Sequence, residues 1–403
     1  MESALGWTLL SRDALRRAEE HLRDGEQGVR DEIGFLALHQ AYADRFFPGT
    51  SVLQTRLRYI LFVPWMYESI PLGTDRRQIS RIIQSEEIYL ARRLRETYGM
   101  SSGVIGARSY PKPTSQPPSM VYWTALVNWG ILRPLRDGSY PSRATLHRML
   151  SQSSSTSRLE DDDNRPLEEG RRFFVSLPNT PTNWDKRQAP LRFDLADGET
   201  KFVQGLLMSV DRPGRLKGLC LLSRLVEHKV LVTKELSLWS DVVSAAADEE
   251  DRAALLRAQQ VAALAAVGRA VYAALLETVC QLEDKRSMPQ SHRAHLKEMI
   301  YKHKREALDL DIEALDQDAP QSLPSRILDV LRETQRWLQR DSSCLDLRSV
   351  YERAEIRRKG RRARLARTLA GQERRVEWNS ENYPLAEPLH YRWGNVKRLL
   401  GDL

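Results

Sequence analysis

VAALAAVGRAVYAALLETVC, residues 261–280, is a run of twenty mostly small apolar residues that fits either a membrane span or a core helix. Arg269 and Glu277 interrupt the run, and each would cost about 2.5–3.5 kcal/mol near the centre of a bilayer. Alanine contributes little to membrane insertion and does not offset that cost. The run therefore predicts a buried helix, and no membrane is expected as a partner.

The segments on both sides of this run also have helical patterns. Residues 75–98 place isoleucine and leucine at helical spacing, and residues 291–310 and 325–340 form charged helical stretches. Strand patterns are scarce, and no clear internal repeat is present. The sequence therefore predicts a mainly α, multi-helical fold.

The length of the chain predicts more than one domain. A chain of 403 residues exceeds the usual size of a single core. Residues 151–170 are first serine-rich and then acidic and lack periodicity, which is typical of a linker. We expect a helical N-terminal domain at residues 1–150 and a helical C-terminal domain at residues 171–403.

Cysteine usage and the N-terminal residues predict a cytoplasmic protein. Cys220, Cys280 and Cys344 lie sixty or more residues apart, a spacing that excludes a zinc knuckle, a CxxC redox pair and a plausible disulfide framework. The first residues become charged by Arg12 without a sufficient apolar core, unlike a secretory signal. A reducing compartment fits these features best.

The strongest charge feature is a basic segment at residues 353–376. The whole chain has a formal net charge of +8, and this segment alone carries the same excess. Arginine donates bidentate bonds to phosphate, and binding releases condensed counterions, so the segment predicts contacts with a nucleic-acid backbone. The candidate contacts in it are Arg357, Arg358, Lys359, Arg361, Arg362, Arg364 and Arg367. The alternative is a solvated helix face whose charges pair with acidic residues.

Residues 99–150 predict a possible winged helix-turn-helix. A glycine- and proline-rich stretch at residues 99–119 predicts a loop or a short β-ribbon. Helical patterns with a turn at Gly130 follow this stretch. Arg133, Arg136, Arg143 and Arg148 would then be available for DNA phosphates. An ordinary corner of a helical bundle with solvated arginines is the alternative.

A metal-dependent nuclease is a further possibility. Asp211 followed by Glu227 and Lys229 fits a D…ExK spacing, in which carboxylates hold Mg²⁺ and the lysine stabilises phosphate charge. That chemistry requires the ExK on a core strand, whereas the surrounding pattern is mainly helical. His292, His295 and His303 fall near one helical face, but the last two are separated by about 12 Å of helical rise. Because phosphate-loop, HExxH, GxSxG and dinucleotide motifs are also missing, no metal, cofactor or catalytic residue is assigned.

The block FPGTSVLQTRLRYILFVPW at residues 47–65 combines apolar and basic residues. It predicts a turn at residues 48–49 and then a helix that Pro64 ends, with the apolar side chains in the core. Arg56 and Arg58 remain as candidates for extending a DNA-binding surface. The rest of the block is interpreted as scaffold.

This block and several others resemble an uncharacterised bacterial family of unknown function. The resembling segments are LGW at 5–7, RDEIG at 30–34, residues 47–65, GVIG at 103–106, PPSMVYWTALVNWGIL at 117–132 and PLHYRWGNVKRLLGDL at 388–403. The resemblance implies an accessory component encoded beside helicases, methylases or phospholipase D-type nucleases in bacterial anti-phage clusters. It implies no catalytic residues.

These observations lead to three functional hypotheses. The first is a DNA-binding accessory subunit of an anti-phage defence complex. This subunit would bind the phosphate backbone of duplex DNA through the basic segment. The second is a helical adaptor that docks a partner helicase or nuclease without binding nucleic acid. The third is the metal-dependent nuclease.

Overall fold

The computed structural model describes residues 31–71, 73–100, 103–152, 173–340 and 342–403. As predicted, the described residues are mainly helical, and two isolated β-bridges occur within these ranges without any sheet. The helices of the first half are α1 (Leu36–Phe46), α2 (Tyr59–Glu68), α3 (Arg76–Tyr98), α4 (Pro118–Val121), α5 (Trp123–Asn128), α6 (Arg143–Gln152), α7 (Asp197–Leu207) and α8 (Leu221–Glu227). Those of the second half are α9 (Asp241–Ala246), α10 (Glu249–Leu282), α11 (Ser291–Leu308), α12 (Leu315–Asp318), α13 (Ser325–Leu338), α14 (Arg348–Lys359), α15 (Leu369–Val376) and α16 (Trp393–Leu400).

The chain divides into two compact units that alternate along the sequence. Among the described residues, the first unit comprises residues 31–46, Arg212–Lys217 and the described part of 237–391, and contains α1 and α9–α15. The second comprises the described parts of 47–211, Gly218–Leu236 and Arg392–Leu403, and contains α2–α8 and α16. The predicted linker at residues 151–170 falls almost wholly outside the described residues, so its role as a domain boundary stays a prediction.

The apolar run at residues 261–280 lies in α10, the core helix of the first unit. By length and composition α10 would suffice to cross a membrane, but 89% of its most apolar window is buried inside the structure. The helix begins where the Asp248 side chain accepts a bond from the backbone N–H of Asp251 at 2.8 Å, and three acidic residues occupy its first turn. The predicted buried helix is confirmed.

Small residues in α10 let neighbouring chains approach closely. A Cβ on Gly268 would lie 2.6 Å from the ring of Phe35 and 3.0 Å from the hydroxyl of Tyr351. Both neighbours are fully buried aromatic residues of the same unit. The alanine- and glycine-rich composition of the run is thus used to pack large side chains against the helix backbone.

The two charged residues within the run have hydrogen-bond partners. Glu277 is fully buried, and its carboxylate accepts bonds from the backbone N–H of Arg293 at 2.9 Å and the hydroxyl of Ser380 at 3.0 Å. It therefore supports the first turn of α11, where backbone N–H groups lack helical partners. Arg269 donates to the carbonyl of Glu387 at 2.8 Å. These bonds offset part of the cost of burying charge in an apolar helix.

A buried ion network joins α1 to the start of α10. Asp251, which is fully buried, accepts a bond from Arg45 at 2.9 Å and pairs with Arg212 at 3.1 Å. Arg45 also bonds the backbone carbonyl of Asp318, whose carboxylate pairs with Arg257 at 2.6 Å. Burial raises the pKa of Asp251, and the adjacent guanidinium groups of Arg45 and Arg212 oppose that rise. In the first unit, each buried charge of this network is therefore compensated by an opposite charge, and removing one would leave its partner uncompensated.

In the second unit, the block at residues 47–65 folds differently from the prediction. Helix α2 begins at Tyr59 and continues through Pro64 to Glu68, so the predicted helix at residues 51–58 is wrong. The backbone N–H groups of Thr55 and Arg56 bond the hydroxyl of Tyr122 at 2.9 and 3.0 Å. Because side chains distant in sequence satisfy this backbone, it does not need helical bonds.

The predicted winged helix with a short β-ribbon finds no support in the structure. Residues 103–117 form turns, and the following segment forms only the short helices α4 and α5 before α6. Four prolines at positions 111, 113, 117 and 118 lack the backbone donors that a ribbon requires. Glycines with positive φ at positions 103 and 106 further favour turns.

Helices α2, α3 and α6 enclose a buried polar cluster around His147. The hydroxyl of Tyr67 lies 2.9 Å from its Nε2, and the hydroxyl of Ser80 lies 3.2 Å from its Nδ1. Burial and the nearby charges of Arg143 and Arg76 lower the pKa of His147 to about 4. The imidazole is therefore neutral at pH 7.

His147 is expected to make the protein less stable in acid. Its pKa of about 4 in the folded protein lies below the ordinary value of 6.5, so only the unfolded chain takes up the proton as the pH falls between these values. After allowance for partial solvation, the free energy of unfolding should fall by about 1–2 kcal/mol from this residue. Urea titrations at pH 7 and pH 4.5 should show a smaller acid-induced loss for His147→Gln than for the wild type. An identical loss in both proteins would contradict this assignment.

Candidate nucleic-acid interface

The basic segment at residues 353–376 begins on α14 and continues beyond it through a fixed turn. Helix α14 ends at Lys359, and a 3₁₀ turn at Gly360–Arg362 follows it directly. Gly360 has a φ of +55°, a conformation that favours glycine. The carboxylate of Glu355, fully buried, accepts bonds from the hydroxyl of Tyr272 at 2.6 Å and from the backbone N–H of Leu365 at 2.8 Å. Glu355 thereby anchors the chain after the turn to the core helix α10.

Six basic residues of the segment already have carboxylate partners. Arg358 pairs with Asp31 at 2.5 Å, and Arg375, which is buried, pairs with Asp284 at 2.7 Å. The remaining pairs are Lys359 and Arg364 with Glu32, Arg367 with Glu352, and Arg374 with Glu377. The charge excess counted in the sequence is therefore partly neutralised in the folded chain.

Four arginines of the segment remain exposed and form no ion pair with any described residue. We call Arg353, Arg357, Arg361 and Arg362 the four-arginine patch. Arg353 and Arg357 are four residues apart on α14, so they share a face with an axial separation of about 6 Å. Arg361 and Arg362 lie on the turn that follows directly. These guanidinium groups are open to a phosphate ligand.

The other predicted contacts lie in the second unit and differ in accessibility. Arg133, Arg136 and Arg148 are exposed. Arg58 is buried and donates to Glu199 at 2.6 Å, while Arg56 bonds Asp402 at 2.9 Å and stacks over the ring of Phe193. Arg56 and Arg58 therefore form ion pairs within the second unit. Arg143 is half-buried against a cavity.

Helix α11 carries a basic face that none of the sequence predictions included. Tyr301 is 89% exposed and has Lys297, Lys304 and Arg305 at helical spacing around it. The sequence does contain a signal for this face. Tyr301 follows one lysine, Lys297, by four residues and precedes another, Lys304, by three. An exposed ring with cations at three of its four neighbouring helical positions, and Glu298 at the fourth, is suited to stacking on a base.

The predicted nuclease residues do not lie on a strand. Glu227 ends α8, and Lys229 adopts positive φ in the turn that follows. Asp211 is exposed and lies in an isolated bridge with Leu219. The ExK therefore lacks the core strand that this chemistry requires.

The three histidines of α11 are used separately. His292 is buried and contacts the carbonyl of Ser380 at 3.0 Å, and His295 contacts the carbonyl of Ala386 at 2.7 Å. Burial lowers the pKa of His303. Within the described ranges, no group of three or more histidine, cysteine or acidic side chains is arranged to hold a metal ion.

Comparison with known proteins gives one match. No curated protein and no solved structure is significantly similar to the chain. One family model, described as a family of unknown function (DUF6361), matches residues 2–281. The match includes the block at residues 47–65 and the core helix α10 up to residue 281, whereas the basic segment lies after it. The match spans more than half of the chain, which therefore belongs to this family of unknown function.

Proposed function

We propose that this protein binds the phosphate backbone of duplex DNA through the four-arginine patch, as an accessory subunit of a bacterial anti-phage complex. The proposal rests on four exposed guanidinium groups that have no acidic partner among the described residues and lie on α14 and the turn that follows it. In such a complex the protein would hold duplex for a partner helicase, nuclease or methylase.

The arrangement favours contacts with phosphates over contacts with bases. Arginines that engage phosphate oxygens fix position without reading sequence. Up to four contacts would release counterions, so affinity should fall steeply as salt rises. Binding should therefore depend strongly on ionic strength and only weakly on DNA sequence.

Fluorescence anisotropy with the full chain tests the proposal directly. Two labelled 20-base-pair duplexes of unrelated sequence are titrated with protein at 50 mM salt. We expect saturable binding to both, with dissociation constants within about threefold of each other, since phosphate contacts carry no sequence information. Absence of binding at this low salt concentration would contradict the proposal.

A helical adaptor is the second candidate function. Leu369 and Val376 are 80% and 63% exposed and lie seven residues apart on α15, so they share one face. An exposed apolar face of this kind is suited to a partner protein. The adaptor requires no DNA affinity, and the anisotropy titration therefore separates the two functions.

Tyr301→Ala is expected to weaken binding of single-stranded DNA by about tenfold. Stacking of a base on an aromatic ring contributes about 1–3 kcal/mol, and Tyr301 presents its ring among cations. Duplex affinity should change little because paired bases are not available to stack. Anisotropy with a labelled oligothymidine measures the effect. Tyr140→Ala, at another exposed tyrosine, is the control; equal losses in the two variants would exclude a specific stacking role.

A further inference from the structure

A cavity of about 160 Å³ lies in the second unit and is formed by three parts of the chain. One face of α3, the turns at residues 106–117 and the buried side of α6 line it. Polar residues recur on the α3 face, where Ser80, Gln84 and Glu87 follow helical spacing. The cavity has no part in the proposed DNA contacts.

The polar groups that line the cavity carry an excess of positive charge. Arg143 and Lys112 are the cationic residues of the lining, and Glu87 is its acidic residue. The carboxylate of Glu87 is engaged by the backbone N–H of Ser119 at 2.9 Å. His147 is neutral at pH 7 because its pKa is about 4. The lining of the cavity therefore has a formal net charge of +1.

Arg143 also has a donor that no described group satisfies. Its Nε is buried and has no hydrogen-bond acceptor among the described residues. A buried donor without an acceptor carries a desolvation cost that no hydrogen bond offsets. The nearby ring nitrogens of His147 are already in contact with Tyr67 and Ser80. An acceptor from outside the protein would remove this cost.

The size and the remaining walls of the cavity restrict what could bind. A volume of about 160 Å³ corresponds to about five water molecules, enough for a small organic molecule. Ile83, Ile88, Ala91 and Pro113 provide an apolar wall. A molecule with one anionic group and a short apolar part would use both kinds of surface.

We propose that this cavity binds a small organic anion, a carboxylate or a phosphate monoester, whose charged group lies between Arg143 and Lys112. The apolar part of the molecule packs against Ile83 and Ile88. Charge-assisted bonds to arginine are about twice as strong as bonds between neutral groups, so Arg143 dominates the affinity. The proposal is independent of DNA binding by the first unit.

Ligand-observed NMR with the full chain tests the proposal. Benzoate and phenyl phosphate are the two anionic probes, and benzamide is the neutral probe of similar shape. We expect at least one anion to bind at millimolar concentration or below, and benzamide to bind at least tenfold more weakly. The arm with higher affinity identifies carboxylate or phosphate as the preferred group.

Variants on one helix provide the matched comparison. Arg143→Gln should weaken the preferred anion at least tenfold, and Lys112→Gln should weaken it about threefold because Lys112 is exposed. Arg148→Gln, an exposed residue of the same helix, should bind within twofold of the wild type. Thermal unfolding confirms that each variant is folded. Absence of binding by both anions at 5 mM, equal binding of benzamide, or unchanged affinity in both Arg143→Gln and Lys112→Gln would overturn the proposal.

Discussion

Replacing Asp251 with alanine is expected to lower the free energy of unfolding by about 3–5 kcal/mol. Asp251 is fully buried and lies between Arg45 at 2.9 Å and Arg212 at 3.1 Å, both of which are also buried. Removing the carboxylate leaves two guanidinium groups inside the first unit with fewer counter-charges. Breaking a buried pair from one side is costly because the remaining charge stays desolvated.

Urea denaturation of the full chain measures this loss. Asp329→Ala is the control because Asp329 pairs with Arg332 at the surface, where an ion pair contributes about 0–1 kcal/mol. We expect the control to differ from the wild type by less than 1 kcal/mol. A loss below 1 kcal/mol in Asp251→Ala itself would show that the network does not stabilise the unit.

Replacing Arg357, Arg361 and Arg362 with glutamine is expected to weaken duplex binding by about 100–500-fold at 0.1 M salt. Each phosphate contact releases counterions from the DNA, and this release raises the affinity. Per contact, the logarithm of the affinity falls by about 0.9 for each tenfold rise in salt concentration. Three lost contacts then correspond to a loss of about 2.7 decades in affinity at 0.1 M salt, which is the upper end of the expected range. None of these arginines has an ion-pair partner in the described structure, so their replacement should not affect folding.

The control for this variant removes the same charge elsewhere. Arg76, Arg77 and Arg81 are exposed on α3 in the second unit, and their replacement with glutamine also lowers the net charge by three. If general electrostatic attraction accounts for binding, both triple variants lose affinity equally. We expect the α3 variant to lose less than tenfold, since it leaves the four-arginine patch intact and changes only the net charge.

Local composition predicted α10 well, while distant partners decided the block at residues 47–65. Small apolar residues with two isolated charges specify a core helix regardless of the rest of the chain. The segment before Tyr59 has a helical pattern, yet Tyr122 takes two of its backbone N–H groups. Arg56 and Arg58 form internal ion pairs because Asp402 and Glu199 lie beside them in the fold. Pairings over more than 100 residues leave no periodic signal in a sequence.

The candidate sites show the same difference. The sequence located the basic segment, but the neutralising residues Asp31 and Glu32 lie more than 300 residues away, so the charge available to DNA was overestimated. The cavity was not found at all, since Glu87 and His147 look like ordinary members of amphipathic helices until α3 and α6 pack together.

The salt dependence of duplex binding shows whether Arg357, Arg361 and Arg362 contact phosphates. Dissociation constants of the wild type and of the Arg357, Arg361 and Arg362 triple variant are measured between 50 and 200 mM salt. If these side chains contact phosphates, the slope of log affinity against log salt should be shallower by about 2–3 in the variant. Equal slopes for the two proteins would show that these arginines do not engage the DNA backbone.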